Sequence, residues 1–517
     1  MAKILTALRE QRQIEAEIQR LAASRTQAEF EQRARWIVSQ DQALPALLNS
    51  VNSADTRLLG VLGSLATLLD RDTVVNALYQ AGVDRRRPKR GRLIALLILE
   101  RFLDEELDEE LFEGLEDPED LAIQSLLNTV DKAEASRLAL LDLIHSLAEQ
   151  PPGVVLSVVD TLVNLDTPAA VEPLRALAQD PRDEVARHAI RGLGTLRYPQ
   201  TIRALQILRY VSPPNVQHEV ERALRKQRLR GLEIAPLPRP DGTWRTLVSA
   251  VDGQGNQSVW FLGQADAEGT CPLLTVVVDY EVGITDALGD EQAPAHQFPA
   301  AQPIGTVHEY RPGNVGLLRL LEADFEYGRR LVSDAQARNV RSGAPTPLVY
   351  RLLNDFIWSY QVTSDTTGPL MPSCAENGAP ARPANSGRLL DHPDFATWFV
   401  QSPMVYDLAA QLRQWRHPQH TTLWSEAVHQ LVESHFDERA LSAYRTWLRA
   451  MAEWLTHAGD EEAACLALAA ADGLLEVAPT EHPLLVRMVD VGLRVAIRNL
   501  QYGFDLRTAP ELFAGGV

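Results

Sequence analysis

Only three cysteines occur in 517 residues, Cys271, Cys374 and Cys465, widely separated and odd in number. They give no basis for a disulfide framework or a cysteine zinc site, so the cytosol is the expected compartment. Long hydrophobic runs are missing as well. The longest, residues 93–99 and 273–278, fall far short of the roughly 20 apolar residues that span a bilayer. The start shows no basic leader followed by an apolar run and a small-residue cleavage site, and a soluble protein without membrane contact is expected. Positive charge is scarce overall. The formal net charge of -19 disfavours general attraction to nucleic acid or anionic membrane.

What is present is enough apolar content, 45%, to fill the cores of two or more domains. The charge is uneven: Arg85, Arg86, Arg87, Lys89, Arg90 and Arg92 form a basic run, and residues 100–120 hold twelve carboxylates against one arginine. A solvated helix face and its turn is the simplest reading of these blocks; a patch for docking a partner is the alternative.

A spacing of 31 residues recurs between about 150 and 230. Val154, Val158 and Leu162 return as Val185, Ala189 and Leu193, then as Val216, Val220 and Leu224; Val171, Leu174 and Leu177 return as Ile202, Leu205 and Leu208. Each unit is a helical hairpin that buries its apolar stripe only by stacking on its neighbours, which is why it repeats. Helices are expected over 121–130, 133–148, 154–165, 169–178, 183–196 and 201–210, with another from Val216. Asp180-Pro181 and Pro213-Pro214 precede helix starts, where the missing proline amide costs nothing. Upstream, residues 1–40 read as one or two polar helices with Ile4, Leu8, Ile14, Ile18 and Leu21 on one face, a cap for the array. Helices follow over 44–48, 56–69, 73–80 and 93–102.

Residues 174–205, LRALAQDPRDEVARHAIRGLGTLRYPQTIRAL, carry a family resemblance. An Asp-Pro turn leads to a helix with Val185, Arg187, Ala189, Leu193 and Gly194, and this resembles a HEAT repeat of the short kind found in bacterial HEAT-like and phycobilisome-lyase-like repeat proteins. The resemblance covers about 120–230 well and 40–120 poorly. It implies an α-solenoid that recognises another macromolecule. It carries over no catalytic residue, and the repeats hold no cysteine for attaching a chromophore, which argues against a lyase working through a covalent thiol.

The repeats are locally positive, with twelve Arg or Lys against eight Asp or Glu from 150 to 230. Arg187, Arg191, Arg203, Arg222 and Arg225 are the candidate contacts for an acidic protein partner; ordinary solvated arginines and phosphate-backbone binding are the alternatives. Nucleic acid is the weaker of these, because the repeats offer few aromatic residues besides Tyr198 and Tyr210 on which a base would stack.

The pattern changes at Gly231. Residues 243–250, 258–263 and 273–284 read as three strands of an antiparallel meander, broken at turn-rich 252–256. A helix is expected from Asn314 with Val315, Leu318, Leu321, Phe325 and Leu331 on one face, and a second over 347–358, completing an α+β domain. Its densest polar cluster suggests a site to test for catalysis at Asp279, Asp286, His308 and Asp324, with Asp279 and Glu281 on one strand face and Glu326 paired with Arg330. No EF-hand, HExxH, Walker, dinucleotide or nucleophile-elbow spacing occurs, so no cofactor and no metal is expected. Residues 362–391 read as a flexible linker or long surface loop. Helices return over 405–415, 423–435, 438–456, 461–475 and 483–499, with Trp447 and Trp454 on one face as core packing. Arg416, His417, Pro418 and His420 form a turn, and His429 and His435 sit on different faces, an unpromising metal arrangement.

The fold class is therefore multidomain and mainly α: a HEAT-like α-solenoid with its cap over 1–232, a small α+β domain over 235–360, the 362–391 linker, and a helical bundle over 393–505. The expected function is a non-catalytic adaptor or scaffold that binds a protein through the repeats. An enzyme or maturation factor with a site in the α+β domain is the alternative, and nucleic-acid binding by the repeats is the weaker one. Nothing in the sequence speaks to oligomeric state.

Overall fold

The computed structural model describes residues 11, 13–18, 20–21, 27–52, 59–105, 107–108, 111, 126, 129–130, 132–133, 135–165, 167–240, 242–311, 317–362, 370–374, 383–413 and 420–508. It divides into two compact units, Met1–Lys132 and Ala133–Val517.

The first unit contains α1 (Gln27–Val38), α2 (Ala43–Asn52), α3 (Leu59–Ala66), α4 (Arg71–Val83) and α5 (Lys89–Phe102). α4 begins where the Asp70 carboxylate accepts the amide of Thr73 at 3.1 Å, satisfying one of the orphan donors of the first turn. The seven-residue apolar run 93–99 lies inside α5 and is buried all round, as a helix through the centre of a bundle must be. Ile14, Ile18 and Leu21 join the same core, so the expected face is the buried one. Residues 1–10, most of the acidic run 100–120 and most of the helix expected over 121–130 lie outside the described residues.

The second unit opens with a short 3-10 turn and α6 (Leu141–Glu149), then α7 (Pro152–Leu165), α8 (Val171–Leu177), α9 (Asp183–Leu193), α10 (Pro199–Val211) and α11 (Pro214–Leu229). α7, α9 and α11 stack in one layer, and α6, α8 and α10 in the other. Val185, Ala189, Leu193, Val216, Val220 and Leu224 are all buried, as are Leu174, Leu205 and their neighbours. The phase slips only in the first repeat. There Leu162 is buried as expected, but Val154 is 46% exposed, and Val155 and Val159 face inward in place of Val154 and Val158.

Six antiparallel strands follow, β1 (Arg245–Ser249), β2 (Asn256–Leu262), β3 (Thr270–Asp279), β4 (Gly283–Pro294), β5 (Val307–Tyr310) and β6 (Leu318–Ala323), in the order β4-β3-β2-β1-β6-β5. The sheet has six strands where three were expected: β4 and β5 are additional, and residues 318–323, expected in a helix, form β6. The run Leu318, Leu320 and Leu321 fits either period, and the open edge of β1 decides it: Leu247 faces Glu322 and Val248 faces Leu321. The helix starts only at α12 (Phe325–Ser342), capped by Asp324, whose carboxylate accepts the amide of Glu326 at 2.8 Å. α12 lies on the face bearing Thr246 and Phe261, and it comes so close at Gly328 that a Cβ there would sit 2.5 Å from the Thr246 methyl. α13 (Leu348–Leu353) and α14 (Asp355–Trp358) complete the segment.

The C-terminal helices α15 (Pro403–Arg413), α16 (His420–His435), α17 (Glu438–His457), α18 (Glu461–Gly473) and α19 (Pro483–Gln501) lie close to their expected positions. α17 and the segment before α15 hold the sheet side through indole hydrogen bonds, Trp454 Nε1 to the Val248 carbonyl at 3.0 Å and Trp398 Nε1 to the Val251 carbonyl at 2.9 Å. Trp454 is buried and Trp447 packs on Trp398 and Tyr444, the core role expected of both. Residues 414–419, with Arg416, His417 and Pro418, lie outside the described residues, as does the side chain of His420.

Two expectations are corrected here. Cys374 and Cys465 form a disulfide across 91 residues, where none was expected. Cysteine count and spacing carry no three-dimensional proximity, and the fold brings the two Cα atoms to 5.5 Å. Residues 383–391, read as part of a linker, form 3-10 turns packed on α18 and α19, with Ser386 and Leu389 buried. Among the described residues no helix is long and apolar enough to cross a membrane.

Candidate functional site

The repeat array has two faces, and the chain uses them differently. The inner layer is already occupied. α6 and α8 pack against α13, and α10 against α14, all within the second unit. At the centre is Arg175 of α8, with 0% exposure. Its guanidinium donates to the Arg351 carbonyl (3.1 Å), the Leu352 carbonyl (2.5 Å) and the Asn354 side chain (2.7 Å), and pairs with Glu172 at 2.9 Å. These carbonyls are the unsatisfied last ones of α13, so a cation from the repeats caps a helix of the neighbouring segment. Asn354 donates to Gln179 at 2.6 Å, and Tyr210 of α10 stacks on Trp358 at 5.6 Å.

Arg137 extends this junction. It pairs with Glu291 of β4 at 2.7 Å and with Asp355, and lies 4.6 Å over the Phe356 ring. Burial works to raise the Glu291 carboxyl, but hydrogen bonds from Ser136 and Arg137 more than offset it and hold the group below the usual glutamate range. For Asp355 the balance runs the other way: burial pushes it up against the pull of Arg175 and Arg137. Two open clefts, of about 490 and about 390 Å³, flank the junction and share Glu172 and Gln200. Arg203 lines the larger one.

The outer layer is held by rungs between successive helices. Asp160 meets His188 at 2.7 Å, Asp183 accepts from Asn215 at 2.6 Å, and Arg191 pairs with Glu219 at 2.8 Å. Arg187 pairs with Asp183 at 3.3 Å and donates to the Asn215 carbonyl. Arg182 caps α6 through the Leu147 and Gln150 carbonyls, and buried Gln227 caps α9 through those of Leu193 and Leu196. The five candidate arginines therefore differ. Arg187 and Arg191 serve the stack, Arg203 borders a cleft, and Arg222 and Arg225 are exposed with no ion pair among the described residues.

The four residues picked out for catalysis do not meet. Asp286 is exposed on β4 and His308 lies on β5, opposite edges of the sheet, about 24 Å apart at five strand spacings. Asp279 is not on a strand face with Glu281; it closes the β3–β4 turn by accepting the amides of Glu281 (2.7 Å) and Val282 (2.6 Å). Asp324 is the α12 cap. His308 pairs with buried Glu322 at 2.8 Å, which Arg245 also holds at 2.7 Å. Glu326 pairs with Arg329 at 3.2 Å, and Arg330 turns instead to Glu453 of α17 and Asp334. Asp286 and Asp290 sit exposed along the edge strand β4, where charge discourages pairing with another sheet. Among the described residues no group of three or more His, Cys, Asp or Glu is arranged to hold a metal ion.

The junction of Arg137, Arg175, Glu291 and Asp355 went unnoticed in the sequence. Its one signal was Arg175 itself, a cation between the buried positions Leu174 and Leu177 of a repeat helix.

A family model for HEAT repeats matches residues 139–225. These stacked hairpins are a HEAT-like segment within a larger, mainly helical chain that also holds a small β-sheet domain and a C-terminal helical bundle. No curated protein and no solved structure matches the chain.

Proposed function

We propose that the protein is a non-catalytic adaptor whose HEAT-like segment grips an acidic protein partner, while α13, α14 and the edge strand β4 hold the array in place. HEAT arrays offer extended surfaces for recognition, and stacked repeats need no catalytic centre to do so. The observation that carries the reading is the division of labour between the layers. The inner layer is closed by α13 and α14 around fully buried Arg175 except at the cleft that Arg203 of α10 borders, which leaves that cleft rim and the α7–α9–α11 layer, with half-buried Arg187 and exposed Arg191, as the surface for a partner. Opposite charge would steer the encounter and apolar contact would supply most of the affinity.

The test is charge reversal at Arg187, Arg191 and Arg203 together in the full chain. Recovery of a partner from extract should be lost while the circular dichroism spectrum is retained. Unchanged recovery by a folded variant would remove these three residues from the binding surface.

A further inference from the structure

The 31-residue register also shows what the last helix of the array leaves unused. In α9, the stripe Asp183, Arg187, Arg191 and Gly194 meets the following helix. Asp183 takes Asn215, Arg191 takes Glu219, and Gly194 lies so close that a Cβ on it would be 3.1 Å from that of Ala223. One repeat earlier, Asp160 takes His188 in the same register. Adding one repeat to the α9 stripe gives Pro214, His218, Arg222 and Arg225 of α11. No fourth hairpin follows, because the chain turns away at Gly231, with φ of 83°, into the extended segment that leads to β1.

All four residues are exposed, and Lys226 and Leu229 extend the surface, Leu229 at 85% exposure. A polar outer face is what any terminal repeat needs for solubility. This one has more. Its charge is of one sign, because the nearby carboxylates are engaged elsewhere, Glu219 by Arg191 and Glu221 by Arg209 at 2.7 Å. It also leaves a large apolar side chain in water. Arg225 stands where α9 has Gly194, so a second array cannot close onto this end at the same spacing, and the same end of another copy would be repelled.

We propose that this open end of α11 docks an acidic amphipathic helix of a partner protein, whose carboxylates meet Arg222 and Arg225 as Glu219 meets Arg191, and whose apolar face covers Leu229. The inference rests on the reading of the repeats as a partner-binding array and locates the contact within it.

The probe is a synthetic amphipathic peptide with glutamates along one helical face and leucines beside them; a control has lysine for each glutamate. Binding to the full chain is followed by fluorescence anisotropy. Carbodiimide coupling then reports the site, since Lys226 is the only lysine after Lys132. The acidic peptide should bind, weaken about tenfold or more between about 50 and about 300 mM salt, and couple to Lys226. The Arg222→Glu/Arg225→Glu variant, with an unchanged unfolding midpoint, should bind it about tenfold or more weakly, as expected when charge contacts are reversed. The lysine peptide should not bind. Equal affinity for the double variant, or binding without coupling at Lys226, overturns the proposal. Absence of peptide binding, with natural-partner recovery still dependent on Arg187, Arg191 and Arg203, overturns it while leaving the array reading intact.

Discussion

Arg175 and Arg222 are arginines of the same repeat array with opposite fates, and their substitution should separate them. Replacing Arg175 by Met strands the Leu352 carbonyl and the Asn354 side chain, takes the buried cation from Glu172 and leaves Asp355 with Arg137 alone. Losing one partner of such a buried network costs about 3–5 kcal/mol. Replacing exposed Arg222 by Ala should leave stability within about 0.5 kcal/mol. Denaturant midpoints compare the two directly, and equal losses would contradict the assigned burial. Glu322 gives a pH prediction. Burial works to raise its carboxyl, and hydrogen bonds from Arg245 and His308 more than offset this, so it is held below its ordinary range. Its contribution is therefore present above the unfolded value of about 4.3 and lost as the pH falls through the lower folded value. The acid limb of the stability curve should be flatter for Glu322→Gln than for the wild type. None of these roles could be told from residue type: a count of arginines does not say which ones a neighbouring segment will bury.

At the scale of elements, glycine positions test the packing. A Cβ at Gly492 in α19 would sit 2.1 Å from the Val400 carbonyl, backbone that cannot rotate away, so Gly492→Ala should destabilise by about 1–3 kcal/mol or more. At Gly153, in the first turn of α7, nothing lies within 4 Å, and Ala should stabilise by roughly 0.5–1 kcal/mol. Thermal melts of the two variants should move in opposite directions. The repeat helices were legible in the sequence because their apolar stripes recur at a fixed period on residues such as Leu193 and Leu224, which the stack buries. Residues 318–323 were not. Their leucines satisfy both periods, and only pairing with β1, far earlier in the chain, makes them a strand.

For the whole molecule, the Cys374–Cys465 bond removes the cysteine-count premise for a cytosolic location, since lasting disulfides favour oxidising compartments. Denatured without reductant, the chain should show one reactive thiol, that of buried Cys271, and three after reduction. Closing a loop of this length restricts the unfolded chain by about 4–5 kcal/mol on an entropic model, so Cys465→Ser should lower the unfolding temperature clearly. The long-range features that matter most for the proposed function were also the ones hidden in the sequence. Arg175 reaches α13 across 176 residues, which is why the closed inner layer could not be read from the 31-residue spacing.

Hydrogen exchange of the full chain with and without its captured protein partner tests the central claim most directly. The account predicts slower exchange over α11 and the adjoining end of α9, with residues 347–358 unchanged because Arg175 keeps that segment on the inner layer. Partner-induced loss of protection over 347–358, with α11 unaffected, would contradict it.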